Sequence, residues 1–150
     1  MKLREIFKMK DFKYRVPATA RPDDSILTAV RKLIEYDRGS LAVCDDEGDL
    51  MGIITERDII RKCFSRNCFD LNAIQVKDIM SAQVVVGRPD DDLEYAINTM
   101  REKRVRHLPI VDNRKKVLGM ISMRDLLGVR LEESDIQVHS MSDYISGVYG

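Results

Sequence analysis

Along residues 26–34 the apolar side chains Ile26, Ala29, Val30, Leu33 and Ile34 recur at i, i+3, i+4, i+7 and i+8. That spacing gathers them on one face of an α-helix. Leu93, Ala96, Ile97 and Met100 repeat the pattern later in the chain. Each helix is followed by a short apolar run, SLAVCD or HLPIVD, then a polar turn, DEGD or NRKK, then a second apolar run, LMGIIT or VLGMIS. Short apolar runs bounded by turn residues read as buried strands. A closing helix is predicted to start at Thr55 in the first half and at Ser122 in the second. Upstream of the first helices, Val16–Thr19 and Val84–Gly87 read as short strands. The predicted order is β-α-β-β-α, twice.

The two halves are copies. RPDD occurs at Arg21–Asp24 and again 67 residues later at Arg88–Asp91, and the offset holds without a gap to Ile60 and Leu127. Gly52/Gly119, Thr55/Ser122, Arg57/Arg124 and Asp58/Asp125 are among the matched pairs. LREIF at Leu3–Phe7 resembles VKDIM at Val76–Met80, with six extra residues in the first copy around Lys8–Tyr14. The expected class is α/β (α+β), divided into repeat 1 (1–66), repeat 2 (67–131) and a helical extension (132–150). A half of about 60 residues buries too little surface to be secure alone, so the halves should pack on each other by pseudo-twofold symmetry. The closing helices carry Ile59, Ile60, Cys63 and Phe64 in one copy and Leu126 and Leu127 in the other. That is more apolar surface than one small half can cover, and it points to an interface between repeats or between two chains.

Composition narrows the function. Hydrophobic residues make up 44%, enough for a core, and the 25 basic side chains are balanced by 25 acidic ones. A balanced chain has no general electrostatic attraction for nucleic acid or an anionic membrane. The basic run Arg101–His107 is too short for a nucleic-acid footprint. Charges interrupt the N-terminal segment, which reads as neither signal peptide nor membrane span. Cys44, Cys63 and Cys68 form no disulfide framework, so a reducing, cytoplasmic setting is expected. Cys63 and Cys68 could ligate a metal, but the only histidines, His107 and His139, are distant in sequence, and no metal site is expected.

The segment with chemical potential is Gly-h-h-[Thr/Ser]-x-Arg-Asp, with h apolar: GIITERD at Gly52–Asp58 and GMISMRD at Gly119–Asp125. One reading is structural: the hydroxyl caps the closing helix and the acid at N3 reaches back. The other is ligand binding. Free N–H groups at a helix start favour phosphate, a carboxylate there can accept the hydroxyls of a ribose, and Arg57 or Arg124 can pair with phosphate oxygens. No Ser/His/Asp set or paired carboxylates suggest catalysis, so an enzyme is not expected.

The repeat, the element order and the strings DIM, HLPIVD, GIITERD and GMISMRD resemble the CBS domains, in the tandem arrangement called a Bateman module, over about Leu3 to Leu131. The tail YISGVY at Tyr144–Tyr149 also looks like that of some small stand-alone members. The resemblance implies a regulatory module with two clefts between the repeats. There it would bind an adenosine-containing nucleotide (AMP first, or ADP, ATP or NAD(H)) and report occupancy, as an energy sensor does, to an unidentified target protein. It implies Thr55, Asp58, Val84, Val85, Arg106 and His107 in the first cleft and Ser122, Asp125, Ala18, Gly39 and Ser40 in the second. Gly39 and Ser40 stand where the other repeat has Arg106 and His107, so phosphate should prefer the first cleft. A homodimer is implied, and no obligatory cofactor. The alternative is a purely structural dimerisation module in which the motifs only cap helices.

Overall fold

The computed structural model describes residues 1–9, 12 and 17–134. In chain order these form α1 (Leu3–Ile6), β1 (Thr19–Ala20), α2 (Ile26–Glu35), β2 (Ser40–Cys44), β3 (Leu50–Thr55), α3 (Glu56–Ser65), α4 (Val76–Ile79), α5 (Leu93–Lys103), β4 (His107–Val111) and β5 (Val117–Ser122). A last helix, α6, covers residues 123–134. The architecture is mixed α and β in two copies, as expected. The tail from residue 135, including YISGVY, lies outside the described residues, as does most of the six-residue insertion.

The repeated polar strings are turns with a common mechanism. In RPDD the last aspartate accepts from the arginine N–H: Arg21 to Asp24 at 2.9 Å and Arg88 to Asp91 at 2.8 Å. In the hairpin turns one aspartate oxygen accepts two backbone N–H groups, from Glu47 and Asp49 to Asp45 and from Arg114 and Lys116 to Asp112. Such side-chain turns are what aspartate does best in a tight loop. They fix the antiparallel pairings β2–β3 and β4–β5, which share one register, Ser40 opposite Thr55 and His107 opposite Ser122.

The first sheet adds β1 parallel to β2, with Thr19 opposite Ala42. Its counterpart in the second repeat is reduced. The strand predicted at Val84–Gly87 is only a bridge from Gly87 to Ile110. The backbone comes so close there that a side chain on Gly87 would stand 2.7 Å from Ile110 Cδ1 and 2.8 Å from Leu108 Cδ2. The strand predicted at Val16–Thr19 starts only at Thr19, and Val16 lies outside the described residues.

Two apolar cores form, and they exchange segments. Ile74, Val76 and Ile79, from the start of the second copy, are buried in the core built by α2, β2, β3 and α3. Leu3 and Ile6 are buried with α5, β4, β5 and α6. Backbone hydrogen bonds hold each exchanged segment to the RPDD turn and helix start it packs on, as Val76 N–H to Asp24 O and Leu3 N–H to Asp91 O. The helical periodicity is confirmed for Ile26, Ala29 and Leu33 and for Leu93, Ala96, Ile97 and Met100, all buried. Ile34 departs from it at 75% exposed. It lies at the edge of the apolar stripe, where the narrow first core ends.

Candidate functional site

Thr55 closes β3 and caps α3, accepting the Asp58 N–H at 3.0 Å while Asp58 Oδ2 accepts the Thr55 N–H at 3.2 Å. Ser122 and Asp125 do the same at the start of α6, at 3.0 Å and 2.9 Å. Both motifs are therefore capping boxes, each satisfying two helix-end N–H groups. The structural reading of the motif is correct in both copies. What separates the copies is what lies in front of each cap.

In front of Thr55 and Asp58 is an open cleft of about 650 Å³ between the repeats, within the range of small-molecule sites. It brings together all seven residues expected near the first motif: Thr55, Arg57, Asp58, Val84, Val85, Arg106 and His107. Gly39, expected at the second cleft, faces this one as well, and so do Glu56, Arg61, Gln83 and Arg104, which sequence reasoning passed over. Arg61 was legible in principle, being one helical turn beyond Arg57. Arg104 belongs to the basic run Arg101–His107 but was not assigned to a cleft; it stands at the end of α5 with φ of 57°.

Among the described residues the second cleft shows only a small space. The space next to Ala18, Arg38 and Ser40 is only about 30 Å³, and Phe7, Phe12 and Pro17 occupy its surround. Phe12 is 7% exposed and belongs to the second core. Ser122, Arg124 and Asp125 do not line this space. The insertion unique to the first copy places Phe12 at this space, and Phe12 has no counterpart in the other repeat.

The electrostatics of the open cleft are lopsided. Four guanidiniums (Arg57, Arg61, Arg104 and Arg106) and two carboxylates (Glu56 and Asp58) line it. His107 opens β4 and lies against Gly39, where an added Cβ would stand 3.2 Å from its Cε1 and 3.3 Å from Glu56 Oε1. Burial holds its imidazole below the ordinary value of 6.5, outweighing Glu56, Asp125 and Asp58, which favour the charged form, while Arg106 opposes it. The ring is thus neutral at pH 7 and adds no charge to the cleft. A surface with excess guanidinium beside a helix start suits an anion with several acceptor oxygens. Among the described residues no cluster suited to a metal ion occurs, and no helix is long and apolar enough to cross a membrane.

Comparison with known proteins agrees with this architecture. The CBS domain family model matches residues 9–65 and 76–132. A protein with CBS domains from Burkholderia ambifaria is 32% identical, with a TM-score of 0.80 over 88% of this chain and 95% of that one. The CBS domain pair of protein MJ0100, solved in complex with 5'-methylthioadenosine and S-adenosyl-L-methionine, is 25% identical, with a TM-score of 0.73 over 86% of this chain and 98% of that one. Inosine-5'-monophosphate dehydrogenase from Methanocaldococcus jannaschii is 36% identical over 109 residues, which are 73% of this chain but only 21% of that enzyme.

Proposed function

Since the chain belongs to the CBS domain family, with two copies in tandem, we propose that it is a regulatory module binding one phosphorylated adenosine nucleotide in the Thr55/Asp58 cleft. The observation that carries this reading is the charge of that cleft. Four guanidiniums against two carboxylates leave two positive charges, a match for a phosphomonoester, which carries roughly −1.5 to −2 at pH 7. The MJ0100 domain pair was solved with two adenosine-containing ligands, which supports the nucleoside half of the assignment. S-adenosylmethionine itself is a sulfonium cation, and the excess of arginine disfavours it here.

In this reading Asp58 keeps Oδ2 on the Thr55 N–H and offers its other oxygen to ribose. Val84 and Val85 flank the base. Arg57 and Arg106, with the start of α3, take the phosphate, and His107 borders it. AMP is the first choice, ahead of ADP, ATP and NAD(H). Ser122, Arg124, Asp125, Ala18 and Ser40 are the weaker candidate site in this reading, because Phe7 and Phe12 crowd the space beside Ala18 and Ser40 and Gly39 faces the first cleft. Binding would be signalled to a partner protein rather than converted to chemistry. The reading includes a cytoplasmic setting and a homodimer through α3 and α6. Their outer faces expose Ile60, Phe64, Leu127 and Leu131. Titration calorimetry with AMP, ADP, ATP and NADH tests the proposal.

The second reading, a ligand-free dimerisation module, draws on the capping boxes, which by themselves account for both motif acids. It leaves the excess of arginine in the first cleft without a purpose.

A further inference from the structure

The end of α3 carries a feature that ligand binding does not use. Asn67 takes a left-handed backbone, with φ of 51°. The Asn67 N–H reaches Phe64 O at 3.0 Å and the Cys68 N–H reaches Cys63 O at 3.1 Å. These two bonds define a Schellman cap, which is frequently accompanied by a side-chain contact between the third-from-last helical residue and the second residue after the cap. In α3 those two residues are Cys63 and Cys68. Cys63 is buried in the first core and Cys68 packs on the edge of the same core, partly open to solvent. With standard bond lengths the Cys68–Cys63 hydrogen bond keeps the two Cα atoms within roughly 7 Å, and disulfides commonly span about 4.4–6.8 Å. The two sulfurs also sense each other: after burial, Cys68 is the next cause holding the Cys63 thiol above its ordinary value.

We propose that Cys63 and Cys68 are a modification site, a thiol pair that a hydroperoxide oxidises reversibly to a disulfide across the end of α3. Cys68, the accessible thiol, is attacked first. Its sulfur takes one oxygen, giving a sulfenic acid and leaving the hydroperoxide as its alcohol or as water. The Cys63 thiol then displaces hydroxide from that sulfur, forming the S–S bond and releasing water. Two thiols are oxidised by two electrons and one peroxide is reduced. Cys44, buried in β2, with its thiol raised by burial and by Asp45 and Asp49, stays out of the reaction. The inference is independent of what the cleft binds.

The test uses the full chain and hydrogen peroxide. After treatment, the count of thiols in denaturant should fall from three to one. The intact mass should drop by two hydrogens, and peptides holding Cys63 and Cys68 should be joined. A dithiol reductant should restore all three thiols. Cys68→Ser, at the partly open position, should keep both remaining thiols under the same treatment. Retention of all three thiols in the native protein would overturn the proposal. So would Cys68 accumulating as sulfinic acid while Cys63 stays alkylatable, or a Cys68 cross-link between chains.

Discussion

The ring of Phe7 lies directly on Gly119, where a Cβ would meet Phe7 Cε1 at 2.5 Å and Cζ at 2.9 Å. Its counterpart, Met80, lies on Gly52 in the same way, with Sδ at 2.9 Å from the corresponding position. The exchanged segments therefore sit on glycines of β3 and β5, and the glycine of the motif is required by this close approach. Gly119→Ala should force the Phe7 ring out of a packed site and destabilise the protein by about 1–3 kcal/mol. Urea unfolding measures it, and a variant as stable as the parent would show that the ring moves freely.

The two capping boxes offer an internal control. Asp58→Ala and Asp125→Ala each remove one reciprocal cap, so each should lose about 1 kcal/mol of stability. Only Asp58 faces the open cleft, so only Asp58→Ala should also abolish AMP binding. Equal stability losses with AMP affinity unchanged in both would reduce the motif to helix capping.

His107 makes stability depend on pH. Its folded form titrates below 6.5 because burial outweighs the carboxylates of Glu56, Asp125 and Asp58. The unfolded chain then takes up its proton at higher pH than the folded one. The contribution is complete above about 6.5 and is lost as pH falls toward the folded value. Urea midpoints between about pH 7.5 and 5.5 should decline less steeply in His107→Gln than in the parent. An identical decline would assign the acid sensitivity to other groups.

Phe64 is 76% exposed and Ile60 69% exposed on α3, an arrangement that a second copy would bury. The parent should sediment as a dimer at micromolar concentration, and Phe64→Glu should shift it toward monomer, because an unpaired carboxylate is costly at an apolar contact. Phe64 does not line the cleft, so AMP affinity provides a check that the variant remains folded. A monomeric parent would refute the dimer.

Most of the fold was legible because both copies obey the same local rules. The aspartate turns, the helical stripes and the capping boxes each follow from residue type and spacing alone. Leu93, Ala96, Ile97 and Met100 are buried as their periodicity requires. What escaped depends on contacts distant in sequence. The strand predicted at Val84–Gly87 is reduced to a bridge at Gly87, which hydrogen-bonds with Pro109 and Val111. The crowding beside Ala18 and Ser40 comes from Phe7, whose counterpart is Met80, and from Phe12, which arrives on an insertion with no partner in the other repeat. The seven residues expected at the first cleft were named from the motif and the family resemblance and line it, whereas Gly39, expected at the second, abuts His107 and Glu56 on the same side.

The central claim is that one phosphorylated adenosine binds per chain, held by the cations of the Thr55/Asp58 cleft. Titration calorimetry of the parent and of Arg106→Ala, each with AMP and with adenosine, tests it most directly. A charge-assisted contact to phosphate contributes roughly 1.5–3 kcal/mol, equivalent to about ten- to a hundredfold in affinity. The parent should bind one AMP per chain, and Arg106→Ala should weaken AMP by that factor while leaving adenosine nearly unchanged. Absence of binding to AMP in the parent, or equal losses for AMP and adenosine in the variant, would contradict the account.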